Sequence, residues 1–137
     1  MAEATYWYRK AAEQGDADAQ FSLGTNYFFG IGVPEDKVES MKWYRTAAEQ
    51  GNIKAQCILG YCYFTGFDVP EDKAEGARWY RLAAEQGRIH AQYQLGTCYL
   101  GGLGVPEDKT EAEKWFRKAA EQGDEYAAEM LKEMTGE

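Results

Sequence analysis

Residues 43–78 read WYRTAAEQGNIKAQCILGYCYFTGFDVPEDKAEGAR, and residues 79–114 read WYRLAAEQGRIHAQYQLGTCYLGGLGVPEDKTEAEK. The two stretches agree at 22 of 36 positions, and residues 7–42 agree with 43–78 at 21. Self-similarity at one fixed period signals stacked structural repeats, each too small to bury its own apolar face. The units begin at Trp7, Trp43 and Trp79, with a partial fourth at Trp115, so residues 1–137 read as a single array with no linker.

Each unit divides into two helices. Asp36-x-x-Glu39, Asp72-x-x-Glu75 and Asp108-x-x-Glu111 have capping-box spacing, in which the Asp accepts from a free backbone N–H and the Glu reaches back to the cap. Pro34, Pro70 and Pro106 hold the preceding chain extended. Gly15, Gly51, Gly87 and Gly123 stop these second helices, because glycine accepts a left-handed terminus without strain. The first helix of the pair spans about Ala17 to Phe29 and closes at Gly30, with copies closing at Gly66 and Gly102. About eight helices and no segment of β-type alternation define an all-α chain.

Composition narrows the function. The chain is 45% hydrophobic, enough for a packed core, and carries a net charge of −8. A field of that sign repels phosphate backbones, so no nucleic-acid partner is expected. No apolar run approaches the ~20 residues of a membrane span, and no membrane insertion is expected. Met1 is not followed by a basic-then-apolar secretion signal, a pattern compatible with the cytoplasm.

The motifs L-G-x-x-Y, G-x-G-V-P-x-D and W-Y-R-K-A-A-E-Q-G, repeated every 36 residues, resemble the Sel-1-like repeat family, a relative of the tetratricopeptide repeats. The resemblance implies a right-handed α-solenoid of helix-turn-helix repeats that binds other proteins or peptides, with the shorter first helices forming its concave wall. Asp68 departs from the pattern, standing where the other copies have a second loop glycine. One branch of the family is cysteine-rich and associated with β-lactam binding and hydrolysis. The paired cysteines of that branch are absent here.

Comparing the copies sorts the first helix by face, at about 100° per residue. Ala19, Gln20, Leu23, Gly24 and Tyr27 recur and mark the packed side. Changes in the last copy assign Phe21, Gly24 and Tyr27 to the side facing later structure, and Ala19 and Leu23 to the side facing earlier structure. Asn26 stands where later copies have Cys62, Cys98 and Met134, as if no first helix preceded it. In the second helix, Trp43, Tyr44, Ala47 and Ala48 form the expected buried stripe. Charge pairs at Glu39–Lys42, Glu75–Arg78 and Glu111–Lys114, and at Arg45–Glu49 with its copies Arg81–Glu85 and Arg117–Glu121, mark its solvated side.

The opposite stripe of the first helix varies freely: Asp18, Ser22, Thr25 and Phe29, then Lys54, Ile58, Tyr61 and Thr65, then His90, Gln94 and Thr97. These eleven residues are the candidate partner-binding face. Ile58 and Tyr61 serve either as exposed anchors or as packing against a neighbouring helix.

Chemistry is thinly represented. Ser22 and Ser40 lie in no nucleophile motif, and His90 occupies a variable, exposed slot. Cys57, Cys62 and Cys98 are odd in number, without C-x-x-C spacing, which argues for reduced core thiols and no metal site. The expectation is therefore a non-catalytic, monomeric protein- or peptide-binding module without cofactor. The alternatives are a structural or idealised array lacking a specific ligand, and a hydrolase related to the cysteine-rich branch.

Overall fold

A computed structural model describes residues 2–136. Among these the elements are all helical: α1 (Ala2–Glu13), α2 (Ala17–Phe29), α3 (Lys37–Glu49), α4 (Ile53–Thr65), α5 (Lys73–Glu85), α6 (Ile89–Gly101), α7 (Lys109–Glu121) and α8 (Glu125–Thr135). The packing forms two compact units, one through Leu59 and one from Gly60, with the border inside α4.

Helix ends follow from the residues at them. Asp36, Asp72 and Asp108 each accept from the N–H of the residue three positions on, at 3.1 Å. The reciprocal half of the expected capping box is replaced. The backbone N–H groups of Asp36, Asp72 and Asp108 donate to the carbonyls of Tyr27, Tyr63 and Tyr99 at 2.7–2.9 Å, so the cap also pins the second helix to the first. Glu75 is thereby released, and it accepts from Trp79 Nε1 at 3.1 Å and from Arg78. At the other end Gly51 adopts φ 98°, with Gly51 N–H on Ala48 O and Asn52 N–H on Ala47 O. That is the paired arrangement that satisfies carbonyls left open by a terminating helix.

In the first unit, Ala12, Ala19 and Leu23 form a core that Ala11, Tyr27 and Trp43 cover. The recurrent Ala-Gln pair has a physical use. Gln20 Nε2 donates to Ala12 O and Gln56 Nε2 to Ala48 O, both at 3.1 Å, satisfying buried carbonyls near the ends of α1 and α3. Gly24 lets the Tyr44 ring approach, and Ser40 Oγ donates to the Gly24 carbonyl at 2.7 Å.

Three expectations for this unit change. Tyr27 faces α1 rather than later structure, since the Arg9 guanidinium lies 5.5 Å above its ring and bonds its hydroxyl. Asn26 is polar for a different reason than exposure: it is buried, and its Nδ2 donates to Thr5 Oγ1, which donates in turn to Ile31 O at 3.0 Å. Trp43 is only half-buried.

In the second unit, Gly60 faces Tyr80 and Gly96 faces Phe116, repeating the glycine-to-ring contact. Trp79 and Trp115 are buried, and Ala112, Phe116, Ala119 and Ala127 form a core covered by Tyr93, Tyr99, Leu100 and Leu131. Gln92 Nε2 donates to Ala84 O at 3.2 Å, the same device again. The expected charge pairs form at Glu75–Arg78, Glu111–Lys114 and Arg81–Glu85, whereas Arg117 turns back to Glu113 at 2.8 Å.

Candidate binding faces of the first helices

The variable stripe lies on α2, α4 and α6, opposite the glycine and leucine positions that pack. In the first unit, Asp18 and Phe29 are exposed and Ser22 and Thr25 are half-buried. Asp18 Oδ1 accepts from Asn52 Nδ2 at 3.1 Å, and Asn52 Oδ1 caps α4 through Ala55 N–H. Thr25 is also engaged, 2.8 Å from the Tyr44 hydroxyl. Phe29 is 63% exposed and packs edge-on against Phe28, with ring centroids 4.9 Å apart. Lys54 is exposed and Ile58 half-buried.

In the second unit, Tyr61 is 53% exposed and its ring lies 6.3 Å from that of Phe67, itself an exposed aromatic. Thr65 and Thr97 donate to the carbonyls four residues back, at 2.7 and 3.1 Å, so their hydroxyl protons are already committed. His90 is exposed, while Gln94 and Thr97 are half-buried. The stripe thus mixes aromatic and polar groups, and Tyr61 is exposed rather than packed away. Phe67 and Tyr126 were not among the sequence candidates. Tyr126 occupies the slot of Asp18, Lys54 and His90 and is 73% exposed, with its ring 6.2 Å from Tyr93. The 36-residue period itself points to Tyr126; Phe67, in a loop, carries no such signal.

Elsewhere the chemistry is that of a packed scaffold. Cys57, Cys62 and Cys98 are free thiols. Burial pushes the Cys62 thiol up to about 11, helped by the Asp68 charge, and burial raises Cys98 to about 11 against the opposing charge of Lys73. Such thiols are poor nucleophiles near neutral pH. Among the described residues no group of three or more His, Cys, Asp or Glu could hold a metal ion, and no helix is long and apolar enough to cross a membrane. A shallow hollow of about 370 Å³ on α7 is lined by Thr110, Glu113, Lys114, Arg117, Lys118 and Glu121, a surface of charged pairs.

Helix pairs joined by short loops, closed on glycine-to-ring contacts and repeated every 36 residues, define a helical-repeat protein. Sel1 repeats match residues 1–16, 17–52, 53–87 and 89–124, and the chain belongs to the Sel1 repeat family. This register starts each repeat at the first helix, so α1 is the second half of a repeat. A Sel1 repeat protein from Oxalobacter formigenes is similar, with 40% identity and a TM-score of 0.88 over 92% of this chain and 95% of that one. The protective antigen c5321 of uropathogenic Escherichia coli, with a Sel1-like repeat fold, shares 44% identity at TM-score 0.89, covering 97% of this chain and 28% of that one. Helicobacter pylori cysteine rich protein B shares 26% at TM-score 0.71, over 94% and 92% of the two chains. An uncharacterised Sel1-like repeat-containing protein of Schizosaccharomyces pombe is 57% identical over 30 residues, and the match spans 4% of its length. The solenoid fold of helix pairs expected from the sequence is therefore the fold of its relatives. Sel1 repeats generally serve as protein-interaction modules rather than catalysts.

Proposed function

We propose that this chain binds a protein segment, as an extended peptide or a helix, through the variable stripes of its first helices. In the first unit the contact residues are Asp18, Ser22, Thr25, Phe29, Lys54 and Ile58. In the second they are Tyr61, Thr65, His90, Gln94 and Thr97. The observation that carries the reading is Tyr61, a large aromatic held half-exposed beside Phe67 at a position that varies between copies. Exposed rings with a polar surround are the usual composition of binding hot spots. Mixed charge, from Asp18, Lys54 and His90, favours a partner recognised by shape and apolar anchors over one recognised by charge alone.

Panning a library of displayed peptides against the purified chain tests this. Enriched peptides should bind Tyr61→Ala more weakly by at least ~1 kcal/mol, while Glu121→Ala on the α7 surface leaves affinity unchanged. Binding that ignores Tyr61 and follows Glu121 would defeat the proposal. Glu75 is unsuitable as the control, because its carboxylate holds the Trp79 indole N–H.

A further inference from the structure

The repeat at residues 53–87 departs from its neighbouring copies at three positions that lie together. Tyr61 stands where those copies have Thr25 and Thr97, Phe67 where they have Ile31 and Leu103, and Asp68 where they have Gly32 and Gly104. Each change adds an aromatic ring or a carboxylate, and all three residues are exposed. In the next copy the same slots are closed. Thr97 Oγ1 donates to Tyr93 O at 3.1 Å, and a Cβ at Gly104 would lie 2.2 Å from the Lys73 carbonyl oxygen.

The rings of Tyr61 and Phe67, 6.3 Å apart and inclined at 53°, meet as a corner rather than a stack. Tyr61 is 53% exposed and Phe67 43%. Asp68 adjoins Phe67 in the loop, and its charge reaches the Cys62 thiol, which follows Tyr61 in α4. The backbone of Asp68 is held at φ 60°, which costs an aspartate more than a glycine, and strain of this kind collects where it positions a functional group. Nearby Glu71 is paired with Lys73 at 3.0 Å, whereas Asp68 has no ion pair among the described residues. Other rings of this unit already take a cation: Lys73 lies 4.6 Å from the Phe64 centroid, Arg78 5.0 Å from Trp79 and Arg81 5.4 Å from Tyr99. Among the described residues none lies over Tyr61.

A ring corner beside an unmatched carboxylate suits a cation that stacks as well as it pairs. A guanidinium does both, because its flat face lies on aromatic rings and its edge forks onto a carboxylate; an ammonium is a compact, strongly hydrated point charge. The net charge of −8 draws such a group towards the chain. We propose that Tyr61, Phe67 and Asp68 form a subsite for an arginine side chain of the bound partner. This rests on the reading of the first-helix stripes as the peptide-binding face and names the anchor that face takes.

Titrating the whole chain at constant ionic strength with N-acetyl-arginine methylamide, and separately with its neutral citrulline analogue, reads the subsite through amide chemical shifts. The arginine probe should shift Tyr61, Phe67 and Asp68 saturably, with a Kd at least ~5-fold below that of the citrulline probe. Asp68→Asn keeps a side chain that tolerates positive φ, and Phe67→Leu installs the residue of the next copy. Each should shrink that ratio by at least ~2-fold with an unchanged helical circular dichroism signal. Equal affinities for the two probes, or shifts spread evenly over the exposed acidic residues, overturn the subsite. Peptides that Tyr61→Ala weakens should also lose at least ~5-fold in affinity when their arginine is replaced by citrulline. If they ignore that replacement, or carry no arginine, the subsite fails while the peptide-binding reading stands. Peptides indifferent to Tyr61 defeat that reading, and the arginine-probe titration then decides the subsite by itself.

Discussion

Gly96→Ala is a sharp test of how the helix pairs are held. A Cβ built at Gly96 lies 2.8 Å from both Cδ1 and Cε1 of Phe116 and 3.1 Å from Cγ. Carbon atoms in good contact stand ~3.5–4.0 Å apart, so the ring or the helix must move by close to 1 Å. Phe116 has no exposed surface and is confined by Ala112, Ala119, Ala127 and Leu131, with the Tyr93 ring 5.6 Å away, so it has little room to yield. Overpacking of this kind costs ~1–3 kcal/mol or more. Replacing a mid-helix glycine by alanine returns up to ~1 kcal/mol through backbone propensity. The net expectation is a loss of about 1–2 kcal/mol, read as a lowered urea midpoint with an unchanged slope. Combining Gly96→Ala with Phe116→Leu should show coupling above ~0.5 kcal/mol, because the smaller side chain frees the space the methyl needs. A midpoint at or above wild type for Gly96→Ala would show that the glycine does not set the approach of α6 and α7.

Trp79→Ala should destabilise by ~3–5 kcal/mol, since it removes a buried indole and strands the Glu75 contact. Trp7→Ala in dilute solution should cost no more than ~0.5 kcal/mol; equal urea midpoints for the two variants would refute the burial difference. Asp68 sits at φ 60° where two other copies have glycine, so Asp68→Gly should raise the thermal midpoint by an amount worth up to ~1 kcal/mol. Cys57, half-buried, should react first with a thiol reagent at pH 8, with Cys62 and Cys98 following only on unfolding. The raised thiols also set a pH window. Their folded value is about 11 and the ordinary one 9.0, so the unfolded chain releases these protons first. Their contribution is fully present below pH 9 and is lost as pH rises from 9 to 11; a urea midpoint that rises over that interval would contradict it.

The helices were legible because their punctuation is local. The Asp at each N-cap, the glycine at each terminus and the 36-residue period fix the boundaries without reference to tertiary structure. Packing direction was less legible. Tyr27 looks like part of the later-facing sector because its slot changes in α8, yet Arg9 and its ring stack on the α1 side. Asn26 reads as an exposed edge residue until Thr5 is placed opposite it, a contact across 21 residues that no periodicity encodes. The capping box failed by half for a similar reason, because the Tyr27, Tyr63 and Tyr99 carbonyls take the cap N–H from a glutamate three residues on. On the candidate faces, the period locates the variable slots but not their exposure. Tertiary packing alone separates Tyr61, which projects, from Ile58, which is half-buried, and brings Phe67 alongside Tyr61.

Amide chemical-shift mapping with one enriched peptide tests the central claim most directly. Titration should perturb Tyr61, Thr65, His90, Gln94 and Thr97 in the second unit. Residues on the charged surfaces of α5 and α7, such as Arg78 and Glu121, should stay fixed. Perturbations concentrated on α5 and α7, with the first-helix stripes unmoved, would contradict the account.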